Sequence, residues 1–82
     1  MTIETKSIVE VLIFGAPQPI KEQVIAKVAG IKATDVEHFI DILNKEYEDS
    51  KRSFRIKKVA GGYSFYTIEE YSVFFEQAFP ER

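Results

Sequence analysis

Cysteine is missing from this sequence, and with it disulfides, thiolate nucleophiles and Cys-ligated metals. That suits a reducing cytosol. Apolar runs are short, far from the roughly 20 residues that a membrane-spanning helix needs. Glu4 stands where a secretory leader is basic, so no signal peptide is expected. Internal repeats, low-complexity tracts and flexible linkers are lacking too. There is one histidine, His38, beside Asp41 on a helix flank. As a general base it would need a positioned nucleophile, and with Asp35 and Asp41 it would make a sparse metal set. It is read instead as a solvated surface histidine. Gly61-Gly62 has neither the strand-to-helix context nor the following Lys-Ser/Thr of a phosphate loop. The expectation is a non-enzyme with no catalytic residues, cofactor or metal.

What the sequence does have is one strongly periodic stretch. In Thr34–Asp49, Val36, Phe39, Ile40, Leu43 and Tyr47 recur at helical spacing and form one apolar stripe. Thr34 and Glu37 have the spacing of a capping box. The opposite face carries Asp35, Glu37, Asp41, Glu46, Glu48 and Asp49 against Lys45 alone. The next residues reverse the sign: Lys51, Arg52, Arg55, Lys57 and Lys58 occur with no acid among them. Overall the 82 residues have a net charge of −2 and a pI near 5.4, which gives no global attraction to nucleic acid. They suffice for one core, since a domain of this size buries roughly 60–65% of its unfolded surface.

Before the periodic stretch, Ile8, Val9, Val11, Leu12, Ile13 and Phe14 cover more than half of a helix circumference. A helix so apolar is either central to the core or covered on a second side by a partner. It is expected over residues 3–15, capped by Ser7 with Glu10, or earlier by Thr2 or Thr5, and ended by Gly15 as a C′ residue. Pro17 and Pro19 require extended backbone, with a short β-bridge at 18–20. A second helix at 21–29 is expected to bury Val24, Ile25 and Val28 and to stop at Gly30. After a tight turn comes the helix at 33–49. Strands are expected at 53–59 and 63–67, with Gly61-Gly62 supplying the positive φ angles of the hairpin and a bulge or twist near Val59. A last helix at 68–78, capped by Thr67 and Glu70, is expected to pack Tyr71, Phe74, Phe75 and Ala78 on the core, with Pro80 stopping it. Three helices in helix-turn-helix order followed by a β-hairpin make a mainly α winged helix-turn-helix domain over residues 1–82.

In helix-turn-helix docking, the second helix of the unit enters the major groove with its leading residues at the base edges. Here those residues include Asp35, Glu37, His38 and Asp41. Carboxylates brought to a duplex oppose the phosphate neutralisation that supplies most affinity. Sequence-specific DNA binding is therefore not expected. The basic hairpin residues, Arg52 and Arg55 among them, are read as a solvated edge strand, a weak phosphate contact or a surface for an acidic protein.

Several segments together resemble the N-terminal winged-helix domain of the segregation and condensation protein B family. They are Ile8 through Phe14, Pro19-Ile20-Lys21-Glu22, Val36 through Tyr47 with its Leu43-Asn44-Lys45-Glu46-Tyr47 ending, and Val59-Ala60-Gly61-Gly62-Tyr63 followed by Thr67 and Glu70-Tyr71. Lys32 departs from the small polar cap usual in the family, and the loop Gly15 to Pro19 is a variant. Family members carry a second winged-helix domain, so the chain is expected to be the N-terminal domain of a two-domain protein. The resemblance implies a non-catalytic subunit of the bacterial SMC–kleisin condensin complex, cytoplasmic and nucleoid-associated. Its partners would be a second copy, the kleisin subunit and, indirectly, SMC, in chromosome condensation and segregation. The self-association surface is expected on the first helix at Val9, Ile13 and Phe14, with Arg52 and Arg55 as further partner contacts. The alternative is a winged-helix transcription regulator that binds DNA.

Overall fold

A computed structural model describes residues 2–80. Its elements are α1 (Thr5–Gly15), β1 (Ile20–Lys21), α2 (Glu22–Ala29), α3 (Ala33–Asp49), β2 (Phe54–Val59), β3 (Gly62–Thr67), a 3-10 turn at Glu69–Tyr71 and α4 (Ser72–Ala78). The strands form one antiparallel sheet in the order β1-β3-β2. This is the expected winged helix-turn-helix, with β1 joining the hairpin as a third strand.

The stripe of α3 organises the interior. Val36, Ile40, Leu43 and Tyr47 are buried and Phe39 is half-buried, against Val9 and Ile13 of α1, Ile25 and Ala26 of α2, Ile56 of β2 and Tyr63 of β3. At roughly 1.5–3 kcal/mol for each large side chain removed from water, this cluster carries the fold. On α2 the buried face is Ile25 and Ala26, while Val24 and Val28 are exposed. Their stripe is turned by about one residue, roughly 100°, from the one expected.

Helix starts rest on backbone rather than on side-chain caps. Glu4, Lys21, Lys32 and Ile68 are the extended residues ahead of α1, α2, α3 and the 3-10 turn, and none makes a side-chain cap bond. Ser7 and Thr34 lie inside their helices, so the capping boxes expected at Ser7, Thr34 and Thr67 do not form. Gly15 is the last residue of α1 rather than a left-handed terminator. Ala16 after it is extended (φ −73, ψ 133), as a residue before proline must be. Gly30 does adopt the left-handed conformation (φ 73), and its N–H and that of Ile31 donate to the Ala26 carbonyl.

The hairpin turns on Ala60 (φ 48) and Gly61 (φ 78), one residue earlier than Gly61-Gly62. Its register runs unbroken from Phe54 opposite Thr67 to Val59 opposite Gly62, so there is no bulge in this ladder. Gly62 meets a different need. A Cβ there would stand 2.9 Å from the Ile20 carbonyl oxygen of β1, the strand paired alongside. On the other side of the sheet, edge strand β2 is held by α3. Asn44 donates to the Ile56 carbonyl and accepts from the Ile56 N–H, both at 2.8 Å, much as a neighbouring strand would.

The C-terminal segment departs furthest from expectation. A 3-10 turn and a seven-residue helix replace one long helix, and neither buries a residue. Ile68 is extended and its N–H donates to the Ser53 carbonyl at 3.0 Å, which directs the chain off the end of the sheet. The aromatic layer expected from this helix is supplied instead by Tyr47, Phe54 and Phe65, with ring centroids 5.0–5.9 Å apart.

Two substitutions test these contacts. Asn44→Ala leaves both polar groups of Ile56 without their partner and should lower unfolding free energy by about 1–3 kcal/mol in a denaturant titration. Gly62→Ala forces β1 away and should destabilise by about 1–3 kcal/mol, with the largest amide chemical-shift changes at Pro19–Lys21 rather than at the turn.

Candidate protein-binding face

α1 presents two faces. Val9 and Ile13 point inward, with 0% and 3% exposure, so they complete this chain's own core and are not available to a partner. Phe14 and Val11 point outward at 77% and 60% exposure. Of the three residues expected to form a self-association surface, the structure leaves Phe14, and adds Val11. The apolar excess of α1 is thus divided between a core edge and an outer edge.

The outer edge borders an apolar groove of about 440 Å³ lined by Glu10, Val11, Phe14, Phe54 and Phe65. Phe54 and Phe65 come from β2 and β3 through their cross-strand arrangement, and Phe14 meets Phe65 edge-on at 6.0 Å. Glu10, the one charged lining residue, accepts a hydrogen bond from the Tyr47 hydroxyl. Burial, then that bond and the negative charges of Glu10 and Glu46, push the Tyr47 hydroxyl well above its ordinary pKa of 10. Tyr47 therefore stays protonated and engages Glu10 as a donor at the groove wall. Above this pair, Lys6 bonds Glu46, which together with the Glu4 and Glu10 charges raises its pKa.

Arg52 and Arg55 lie together at the start of β2, next to Phe54. The Arg52 N–H donates to the Tyr47 carbonyl at 2.8 Å, closing the turn after α3. One guanidinium nitrogen of Arg55 donates to the carbonyls of Arg52 (2.9 Å) and Phe54 (2.7 Å). Arg55 is therefore partly structural, while Arg52 is exposed. On the wing, Lys57 lies 4.8 Å over the Tyr66 ring and Lys58 is 4.0 Å from Glu22.

The leading face of α3 is acidic in space as well as in sequence. Asp35, Glu37, His38 and Asp41 are all exposed. Lys45 and Lys6 neutralise only the trailing end, through Asp49 at 3.2 Å and Glu46. His38 packs edge-on to Phe39 at 5.8 Å. Among the described residues no group of three or more His, Asp or Glu side chains is placed to hold a metal ion, and no helix is long and apolar enough to cross a membrane. Phe54 and Phe65 are half-buried, packed against the core on one side and lining the groove on the other. Their signal in the sequence lay in the over-wide apolar surface of α1, which needed a second cover.

Known proteins share this arrangement. A family model for the segregation and condensation complex subunit ScpB matches residues 7–82. Segregation and condensation protein B of Symbiobacterium thermophilum is 33% identical over 72 residues, covering 88% of this chain and 33% of that protein. The same protein of Syntrophotalea carbinolica is 32% identical over 71 residues, covering 87% and 36% respectively. The chain thus spans about one third of the length of these curated relatives. Among solved structures, a conserved hypothetical protein from Chlorobium tepidum superposes with a TM-score of 0.83 at 30% identity, over 92% of this chain and 48% of the other. A dimer of the ScpB N-terminal domain complexed with ScpA peptide superposes with a TM-score of 0.78 at 22% identity, over 89% of this chain and 91% of that one, a likeness of fold. With the family match running from α1 through the wing and beyond, this chain belongs to the segregation and condensation complex subunit ScpB family.

Proposed function

We propose that this chain is a non-catalytic structural module of the bacterial SMC–kleisin condensin complex. In this reading it is the N-terminal winged-helix domain of a two-domain protein, forms a homodimer and binds the kleisin subunit. It thereby contributes, with SMC as an indirect partner, to chromosome condensation and segregation at the nucleoid in the cytoplasm. Family membership supports the assembly. The fold shared with an ScpB N-terminal domain that was crystallised as a dimer with ScpA peptide supports the domain assignment and both kinds of partner.

The observation that carries the choice of protein over DNA is the leading face of α3. A helix that presents Asp35, Glu37 and Asp41 where a recognition helix meets the duplex repels phosphates there. The apolar groove beside Phe14 provides the kind of surface that protein partners bury.

In solution the domain should scatter light as a dimer, bind purified kleisin subunit in a calorimetric titration and leave duplex DNA unshifted in a gel at low salt. A tight DNA complex whose affinity falls steeply with added salt, weakened by charge reversal at Arg52 and Arg55, would replace this reading with that of a transcription regulator.

A further inference from the structure

Where the leading half of α3 meets β2 there is a notch of about 210 Å³, separate from the apolar groove, with Glu37, Asp41 and Tyr63 among its lining residues. Tyr63 is only 4% exposed, yet its hydroxyl has no hydrogen-bond partner among the described residues. A buried hydroxyl left unpaired costs stability, so one that opens on a polar notch marks a place for an incoming group. Burial, then the negative charges of Glu22, Glu37 and Asp41, raise the Tyr63 pKa. The hydroxyl therefore stays protonated and lies within the field of those carboxylates.

The other polar groups around the notch are already engaged. Asn44 is committed to Ile56 by both ends of its amide. Lys57 is drawn over the Tyr66 ring at 4.8 Å, and Lys58 is 4.0 Å from Glu22. That leaves Glu37 and Asp41, both exposed and neither in an ion pair among the described residues. They stand one turn apart on α3, where two like charges repel. A cation between them removes that repulsion.

We propose that this notch receives the ammonium of a lysine presented by a partner protein. An ammonium has three N–H donors and no acceptor, and the notch offers it the carboxylates of Glu37 and Asp41 and the hydroxyl oxygen of Tyr63. A phosphate is repelled by the same two carboxylates. Among the described residues no three His, Asp or Glu side chains are grouped to hold a metal ion, so the donor set suits an organic cation. Asp35, exposed nearer the start of α3, carries the acidic field beyond the notch. Charge complementarity thus favours a basic stretch of chain over a small free amine. The inference goes beyond the dimer and kleisin reading above and does not depend on it, since neither the groove at Phe14 nor the basic start of β2 takes part.

The test is a titration of the isotope-labelled domain with acetyl-Gly-Lys-Gly-amide at constant ionic strength, followed by amide chemical shifts. Saturable shifts centred on Glu37, Asp41 and Tyr63 are expected, and none with the norleucine analogue, which keeps the stem and lacks the charge. A Glu37→Gln, Asp41→Asn double variant keeps the shape of the notch and should melt cooperatively while binding the peptide at least about tenfold more weakly. Tyr63→Phe removes a hydroxyl with no internal partner, so its melting temperature should hold while affinity falls about threefold. Unchanged binding in either variant overturns the proposal. A lysine peptide that leaves those amides unmoved overturns it too. Spermidine or magnesium chloride moving them instead then assigns the notch to a free cation, and no response to any of the three leaves it to water. Shifts there that grow with protein concentration alone assign it to a second copy and equally overturn the proposal.

Discussion

Burial of one face of α3 is the constraint from which the rest of the molecule follows. Val36, Ile40, Leu43 and Tyr47 line one side of a 17-residue helix, and every other ordered part of the core is positioned by contact with that side. The two preceding helices dock on it through Val9, Ile13, Ile25 and Ala26. The sheet meets it through Ile56 and Tyr63, with the Asn44 amide fixing the register between helix and edge strand. Because the buried face is continuous, the opposite face is left entirely to solvent, and there the carboxylates accumulate. The acidic face of α3 is thus the other side of the packing that folds it.

The same economy accounts for α1. A domain of this size cannot bury both edges of so apolar a helix, and one edge remains as the wall of a groove. Tyr47 joins the two worlds. Its ring belongs to the core while its hydroxyl holds Glu10 on the groove side, so a carboxylate that would otherwise oppose apolar contact is occupied by an internal donor. Interfaces that bury aromatic residues with charged groups confined to the rim are the usual form of stable protein association.

How far the sequence discloses this depends on the kind of physical signal. Helical periodicity is local, so the stripe of α3 and the order of elements could be read directly from residue spacing. Capping is decided by backbone geometry that competes with side-chain bonds, and extended residues such as Lys32 served where Thr34 and Glu37 were expected. Glycine carries two meanings that spacing does not separate. Gly61 gives the turn its positive φ, but Gly62 makes room for the passing Ile20 carbonyl, a contact between segments about forty residues apart. The aromatic C-terminal helix was read as core, and none of its residues is buried. A periodic stripe says that a face will be covered and is silent on what covers it. Val9 and Ile13 went wrong in the reverse sense, as interior positions read as surface, because a helix that is apolar on both edges looks alike from either side.

The Asn44 clamp has a consequence for how copies of the domain can meet. β2 is an outer strand of the sheet, and an outer strand with open backbone groups invites another chain to extend the ladder. By occupying both polar groups of Ile56 at mid-strand, the amide withdraws that invitation, while Arg55 and Lys57 on either side discourage a flat approach. Strand addition at this edge, open-ended and indifferent to side-chain shape, is thereby disfavoured. Recognition is left to the fit of side chains, which can be selective and can terminate at a defined number of subunits.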